Sequence, residues 1–596
     1  MNHKKTIVVS LLTIVMCLAL IAGSTYALFT SEDKVNIAVT SGKVSVTATV
    51  GNIKTSSLGV DQAAGAFANG GSAKLDESAH KLSLTNITPG DKVTFDITVK
   101  NDSNVNIQYR LVWTVEGELA DYLEITNNQN LGWTVWEIPA TEADKVKVIS
   151  VSIKLPEEFT TQNLGDASIS FKVEAIQGNA FTGDADFYVL NTEDLIAALA
   201  EAGSAENAGQ TTEIVLLANC DISESLNVGN DVVINGGGYT IARKEGFTGT
   251  VFSAKEGSTL TLEDVVVDGG AVWTGDVDPT LGRGTVNSGV AATGDLIAAE
   301  KNATIVLNEG AILQNNVGAY AVNLGTRIGA TLTLNGAQII NNSSGSGAIW
   351  GGGNIVVNEN SKINGNSSTG IAGVIRMVSS CNLTINGGEI NHNKAAGDGG
   401  VIWGYGSSTY TFTGGEMAYN VSGGVGGAIY TGTYSNINIS GTFEMHDNSA
   451  KNSGAIRLTD HTSLTMTGGK IYDNKQNGES NAFNTWNNSM TIIGGEIWDN
   501  FVFTGGLGLT IGAADIEGVI NYNLSTNHNT AYLAADFKGF SFTANEAANN
   551  FANFNFKPAA DYVYTEGDEN KLVCLNEGYE TYWDAATGTF RLQATN

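Results

Sequence analysis

Cysteine, proline and positive charge are all scarce in this 596-residue chain. Its four cysteines, Cys17, Cys220, Cys381 and Cys574, are too few and too scattered for a disulfide framework, and none forms a C-x-x-C metal clip. The three beyond Cys17 read as small buried apolar residues. Five prolines against 72 glycines exclude polyproline linkers and point to tight turns, while the lack of a three-residue glycine period excludes collagen. Only 31 Lys and Arg face 61 Asp and Glu, so the formal charge of −30 repels nucleic acid and anionic lipid headgroups. That sets nucleic-acid binding aside. The charge fits solubility outside the cell, with weak divalent-cation binding as its functional counterpart.

What is present is enough to fold, since 42% of the residues are apolar. Residues 1–27 open with Lys4 and Lys5, run through apolar residues from Ile7 to Ala22 and end in Thr25-Tyr26-Ala27, a small-x-small cleavage pattern. This reads as a signal peptide, to be removed by a signal peptidase, with no membrane attachment after cleavage. Cys17 follows Met16 inside the apolar run, which does not suit lipidation. The end of the chain, Arg591-Leu592-Gln593-Ala594-Thr595-Asn596, carries no apolar run or basic tail, so no anchor is expected there.

The first mature segment alternates. Phe95, Ile97 and Val99 are interleaved with Asp96, Thr98 and Lys100 after the turn dipeptide Pro89-Gly90, and further strands are expected at 107–115, 146–155 and 167–176. Trp113, Trp133 and Trp136 are candidate core residues. Short strands separated by turns predict a β-sandwich over residues 28–180. The junction Thr25-Tyr26-Ala27-Leu28-Phe29-Thr30-Ser31, the run from Val35 to Gly42 and the closing Phe171-Lys172-Val173-Glu174-Ala175-Ile176-Gln177 resemble the TasA/camelysin family. That resemblance implies surface or biofilm-matrix placement and fibre assembly. It does not bring the peptidase activity attributed to some relatives, because this segment has the single histidine His80 and no H-E-x-x-H.

Beyond residue 180 the decisive feature is a repeat. Asn316, Asn342, Asn366, Asn393, Asn420, Asn448, Asn474 and Asn500 recur at spacings of 26, 24, 27, 27, 28, 26 and 26, each with an apolar residue three positions earlier. A second register, Ile349, Ile375, Ile402, Ile429 and Ile456, closes a Gly-(Ala/Val)-Ile triplet each time, and a third places alternating strands such as Leu332-Thr333-Leu334 before a Gly. Three short strands per repeat predict a three-sided right-handed parallel β-helix over residues 181–539, with Asn and Gly holding its corners. A leucine-rich repeat shares the period, but the L-x-x-L-x-L spacing and the helix are absent.

Thr192-Glu193-Asp194-Leu195-Ile196-Ala197-Ala198-Leu199-Ala200 reads as a capped amphipathic helix covering the first coil. This opening resembles that of pectate-lyase-like β-helices and of bacterial surface adhesins with the same core. Residues 540–596, where the period fails, read as a C-terminal cap rich in Phe, Tyr and Trp, with an aromatic glycan-binding surface as the sharper reading.

The fold class expected is therefore all-β, a sandwich followed by a β-solenoid. The function expected is that of a secreted, Gram-positive-type surface or matrix protein of adhesin character. Its partners would be extracellular polysaccharide or cell-surface glycan, with self-assembly or docking on matrix fibres. The alternative is a lyase or hydrolase acting on acidic polysaccharide, which needs acidic or basic side chains on adjacent coils. Arg457, Asp460 and His461 form the best local cluster for that. Arg376 shares the face of Arg457 but lies about three coils away. Asp276 and Asp278, in the insertion between Gly269 and Ala299, are candidate Ca²⁺ ligands, and no other cofactor is implied. His392 and His446 sit one and two residues before their ladder Asn and are not expected to form a metal site.

Overall fold

A computed structural model describes residues 30–31 and 44–595 except 77–79, 104–106, 118, 128–133, 137–140, 143, 157–165, 178–184, 290–293, 327–328, 379, 486, 505–507, 524–529 and 545–553. The leader and Trp133 lie outside the described residues. The chain divides into two compact units, residues 1–187 and 188–596.

In the first unit the alternation at Phe95, Ile97 and Val99 does what the pleat requires. The strand Asp91–Asn101 pairs antiparallel with Val46–Ser57 on one side and Val146–Lys154 on the other, in a five-stranded sheet. A second sheet of six strands centres on Ala167–Gln177, between Lys81–Thr85 and Ile107–Gly117. The two share one core, in which Phe95 of the first sheet meets Phe171 of the second at 5.6 Å, and Trp136 is buried against Tyr109. Gly90 adopts φ 87° while Asp91 N–H donates to Thr88 O, so Pro89-Gly90 forms the type II turn its dipeptide predicts.

The second unit is the parallel solenoid. One face is a 14-stranded sheet containing Ile349–Gly351, Ile375–Met377, Ile402–Gly404, Ile429–Tyr430 and Ile456–Arg457, all in register. The other two strands of each coil join across a corner into a 27-stranded sheet. Inward positions form continuous apolar columns, as in Leu332, Ile355, Leu383, Tyr410, Ile437 and Leu464, each at most 1% exposed. The middle coils add a fourth strand of two residues, such as Ser343–Ser344 and Ser367–Ser368, which the sequence pattern does not reveal.

The ladder asparagines are buried at the corner before that fourth strand. From Asn342 to Asn448, the backbone N–H and Nδ2 of each Asn both donate to Oδ1 of the next coil's Asn at 2.9–3.2 Å. The eighth rung differs from expectation. Asn474 donates instead to Asp499 Oδ2, at 3.0 and 2.9 Å, and Asn500 lies outside the row. At the other end the buried Arg243 guanidinium donates to Asn316 Oδ1 at 3.3 Å. The row therefore runs in one hydrogen-bonding direction, from a guanidinium, which only donates, to a carboxylate, which only accepts.

The N-terminal helix is Thr192–Ala202. Its cap is Asn191, whose side chain accepts from Asp194 N at 2.9 Å and donates from Nδ2 to Asp194 Oδ2 at 3.1 Å. Leu195, Ala198, Leu199 and Ala202 face the first coils. At the far end parallel pairing runs beyond residue 540. Phe540–Ala544, Asn555–Pro558 and Leu572–Cys574 still stack on earlier strands, and the antiparallel pair Tyr579–Asp584 and Thr589–Ala594 closes the long sheet. Phe540, Phe542, Phe554 and Phe556 are core residues of these last coils.

Candidate functional site

The residue after each second-register Ile points outward, and parallel register puts Trp350, Arg376, Trp403, Tyr430 and Arg457 in one column, which Asn484 continues after Phe483. Strand spacing separates the rungs by ~4.8 Å. Tyr320 stacks on Trp350 (5.4 Å between centroids, 16° between planes), and Trp403 stacks on Tyr430 (6.1 Å, 6°). The Arg376 guanidinium carbon is 5.9 Å from the Trp403 ring centre. Tyr405, 63% exposed, widens the platform beside Trp403 at 6.1 Å.

Two polar atoms of this column, Trp350 Nε1 and Arg376 Nε, are shielded from solvent and find no hydrogen-bond partner among the described residues. Arg457 Nη1 donates to Asn484 Oδ1 at 2.8 Å, and burial lowers the Arg457 guanidinium's pKa. Burial, reinforced by the Asp398 charge, raises the Tyr430 phenol's. A half-buried arginine between two flat rings, as Arg376 is between Trp350 and Trp403, suits a ligand with both apolar faces and hydrogen-bonding edges, as a sugar ring has.

Asp460 and His461 lie at the turn beside this face. Asp460 Oδ2 is 2.9 Å from His461 Nδ1, its Oδ1 accepts from Asn487 Nδ2, and His461 stacks on Tyr434 at 4.8 Å. The hydrogen bond from Asn487, with His461 adding to it, lowers the Asp460 carboxyl below its ordinary value. Asp460 and His461 thus form a pair, while Arg457 belongs to the strand column. Arg376 and Arg457 are three rungs apart, with Trp403 and Tyr430 between them. The aromatic members of the column were not singled out from the sequence, although each directly follows a second-register Ile whose period was legible.

The candidate Ca²⁺ ligands sit on a hairpin, Trp273–Asp278 with Arg283–Asn287. Asp278 accepts from the N–H groups of Thr280 and Leu281 and pairs with Lys394 Nζ at 2.6 Å; Asp276 is exposed. No group of three or more His, Cys, Asp and Glu among the described residues could hold a metal ion.

Charged side chains stack on adjacent coils at one corner, which the sequence reading did not single out. Lys362, Glu389, Glu416, Glu444, Lys470 and Glu496 occupy one outward column on consecutive coils. Beside it His392, Tyr419, His446, Tyr472 and Trp498 form a chain of rings with centroids 4.6–5.6 Å apart. His446 lies between Glu416 (Nε2 to Oε1, 2.9 Å) and Asp447 (Nδ1 to Oδ2, 2.9 Å), and Tyr472 donates to Glu444 at 3.1 Å. The two histidines thus share a column through Tyr419, because the positions one and two before the ladder Asn both project at this corner.

In the cap, Tyr564 stacks on Trp583 (4.7 Å, 1°), and both rings also pack on the buried Phe590. That makes them partly a lid on the core.

No protein-family model and no curated protein matches the chain. Among solved structures it is similar to the catalytic unit of a thermostable GH87 alpha-1,3-glucanase from Streptomyces thermodiastaticus strain HF3-3, at 12% identity and a TM-score of 0.25, covering 90% of this chain and 96% of that one. It is similar also to the Agl-KA catalytic domain, at 11% identity and a TM-score of 0.24, covering 92% and 96%. Likeness at this level carries no argument about activity.

Proposed function

We propose that this protein is an extracellular glycan-binding solenoid of the surface or matrix type, and that the column from Trp350 to Arg457 is its binding platform. The observation that carries the reading is the single column of flat rings and guanidinium groups along the solenoid axis, with the buried N–H groups of Trp350 and Arg376 left unpaired. A polysaccharide lying along that axis would meet a ring or an arginine at each ~4.8 Å step. The rings would stack on sugar faces, and the guanidinium N–H groups would donate to hydroxyl or carboxylate oxygens. The first unit, with its TasA/camelysin resemblance, is proposed as the module that tethers the solenoid or assembles it onto fibres. Electron microscopy showing only monodisperse particles without cell association would remove that part.

The deciding experiment is a binding and cleavage panel of acidic and neutral polysaccharides, with and without Ca²⁺. Binding that weakens in Trp403→Ala without release of reducing ends or unsaturated products supports the platform. Cleavage lost in Arg457→Ala or Asp460→Ala, or in Glu416→Gln with Glu444→Gln, would install the alternative of a polysaccharide-cleaving enzyme.

A further inference from the structure

The corner of rings and carboxylates is on a different side of the coil from the Trp350 column and differs from it in charge. Lysines pair with the first and last glutamates, Lys362 with Glu389 at 3.4 Å and Lys470 with Glu496 at 3.5 Å. Between them Glu416 and Asp447 both turn to His446, Glu444 accepts from the Tyr472 phenol, and Asp473 is exposed. Carboxylates on consecutive coils ~4.8 Å apart repel one another, and a ligand bringing positive charge along the axis relieves that repulsion. The rings supply the second half of a cation site. Tyr419 and Trp498 are 43% and 45% exposed and lie in the same column as Tyr472, and aromatic faces attract ammonium groups.

We propose that this corner, built on Tyr419, Tyr472, Trp498, Glu416, Glu444 and Asp447, docks a polysaccharide bearing free amino groups. The partner's sugar faces stack on the rings and its ammonium groups sit against the carboxylates. The proposal rests on the reading above only in taking the solenoid for a glycan binder. With two columns on different sides, one molecule can hold two chains of different chemistry. The ionisation of the phenols supports the negative potential at this place. Asp447 above all holds the Tyr419 phenol above its ordinary value, and Tyr472 is raised by burial and by Glu444.

The test titrates the full chain with a polyglucosamine oligomer and with its fully N-acetylated counterpart of equal length. The charged oligomer is expected to bind at least about tenfold more tightly, with the difference falling as salt rises. Glu416→Gln with Glu444→Gln should cost the charged oligomer about tenfold or more. Asp561→Asn with Glu577→Gln, which removes two exposed charges from the cap, should change its affinity by less than about twofold. Equal loss in both double variants, or equal affinity for the two oligomers, overturns the proposal in favour of diffuse attraction to an acidic protein. Trp403→Ala separates the two readings: it should weaken the platform's ligand and leave polyglucosamine binding intact.

Discussion

Two columns run along the same coils with the same period. The asparagine row points inward, is buried, and has its amide hydrogen bonds satisfied from Arg243 to Asp499. The row Trp350, Arg376, Trp403, Tyr430 and Arg457 points outward, is half exposed, and leaves two shielded N–H groups unpaired. Periodicity alone does not separate scaffold from site, since both rows repeat equally well. Exposure does, together with what the side chains have left to offer: the asparagine amides are buried and spend their donors and acceptors on one another, with only Arg243 Nε at the head of their row unpaired, whereas the outer rings and guanidinium groups are half exposed and can turn the donors of Trp350 and Arg376 to a ligand.

If that contrast is sound, substitutions in the two rows should fail in different ways. The largest effect is expected for Asn420→Ala. It removes the acceptor for Asn393 N and Nδ2 and the donors to Ile390 O and Asn448 Oδ1, all in the buried corner. Several unsatisfied groups at about 1–3 kcal/mol each give a loss of about 4 kcal/mol, read as a lower urea midpoint of the solenoid transition. Trp403→Ala should do the reverse. It should cost about 1.4 kcal/mol of glycan affinity, a tenfold rise in Kd, with little change in that midpoint. A Trp403→Ala variant that unfolds early while still binding its glycan would remove the distinction.

A smaller effect sharpens the inner row. Asp499 takes an asparagine's place, is 2% exposed, and is held above its ordinary pKa chiefly by burial, against hydrogen bonds from Asn474 and Ser480. A carboxyl raised in the folded state favours folding when protonated. That stabilisation is complete below the unfolded value of about 3.9 and is lost as pH rises through the folded value. Asp499→Asn should therefore be the more stable protein near pH 7, by about 1 kcal/mol, and should lose that advantage as the pH is lowered. Paired urea titrations at several pH values read it directly. An advantage that grows in acid would mean that the ladder needs the charge.

The fold was legible because each strand's apolar residues recur at a coil's length, and the corner asparagines mark the period even where the apolar type changes from Ile390 to Met417. The end of the ladder was not. Asp499 and Asn500 are adjacent, and the strand Ser489–Ile497 carries a register shift against Ser463–Tyr472 that sequence spacing cannot show. Site legibility failed for a related reason. Arg457, Asp460 and His461 were visible as a local cluster, but Trp350, Arg376, Trp403 and Tyr430 are each about one repeat from the next in sequence and become neighbours only when the coils stack. The acidic corner was hidden likewise: Glu389, Glu416 and Glu444 each open a different short strand, and the cost of placing them side by side appears only in register.

The smallest expected effect concerns the hairpin Trp273–Asn287, which breaks the repeat without breaking the solenoid. Its Arg283 is 9% exposed, lies 3.6 Å from the Trp273 ring centre, and donates to Gly365 O and Ser367 Oγ at 3.2 and 3.0 Å, while Asp278 pairs with Lys394. The insertion is thus fastened to coils that come some eighty to a hundred and sixteen residues later. Arg283 is the buried anchor and Lys394, 40% exposed, the outer one. Lys394→Ala removes a partly solvated ion pair and should cost about 0.5 kcal/mol, with faster amide exchange confined to the hairpin. Arg283→Gln, which leaves Gly365 O and Ser367 Oγ without their donors, should free the hairpin to limited proteolysis while the Asn420 corner keeps its protection. Loss of protection at both places would show that the hairpin holds the coils together.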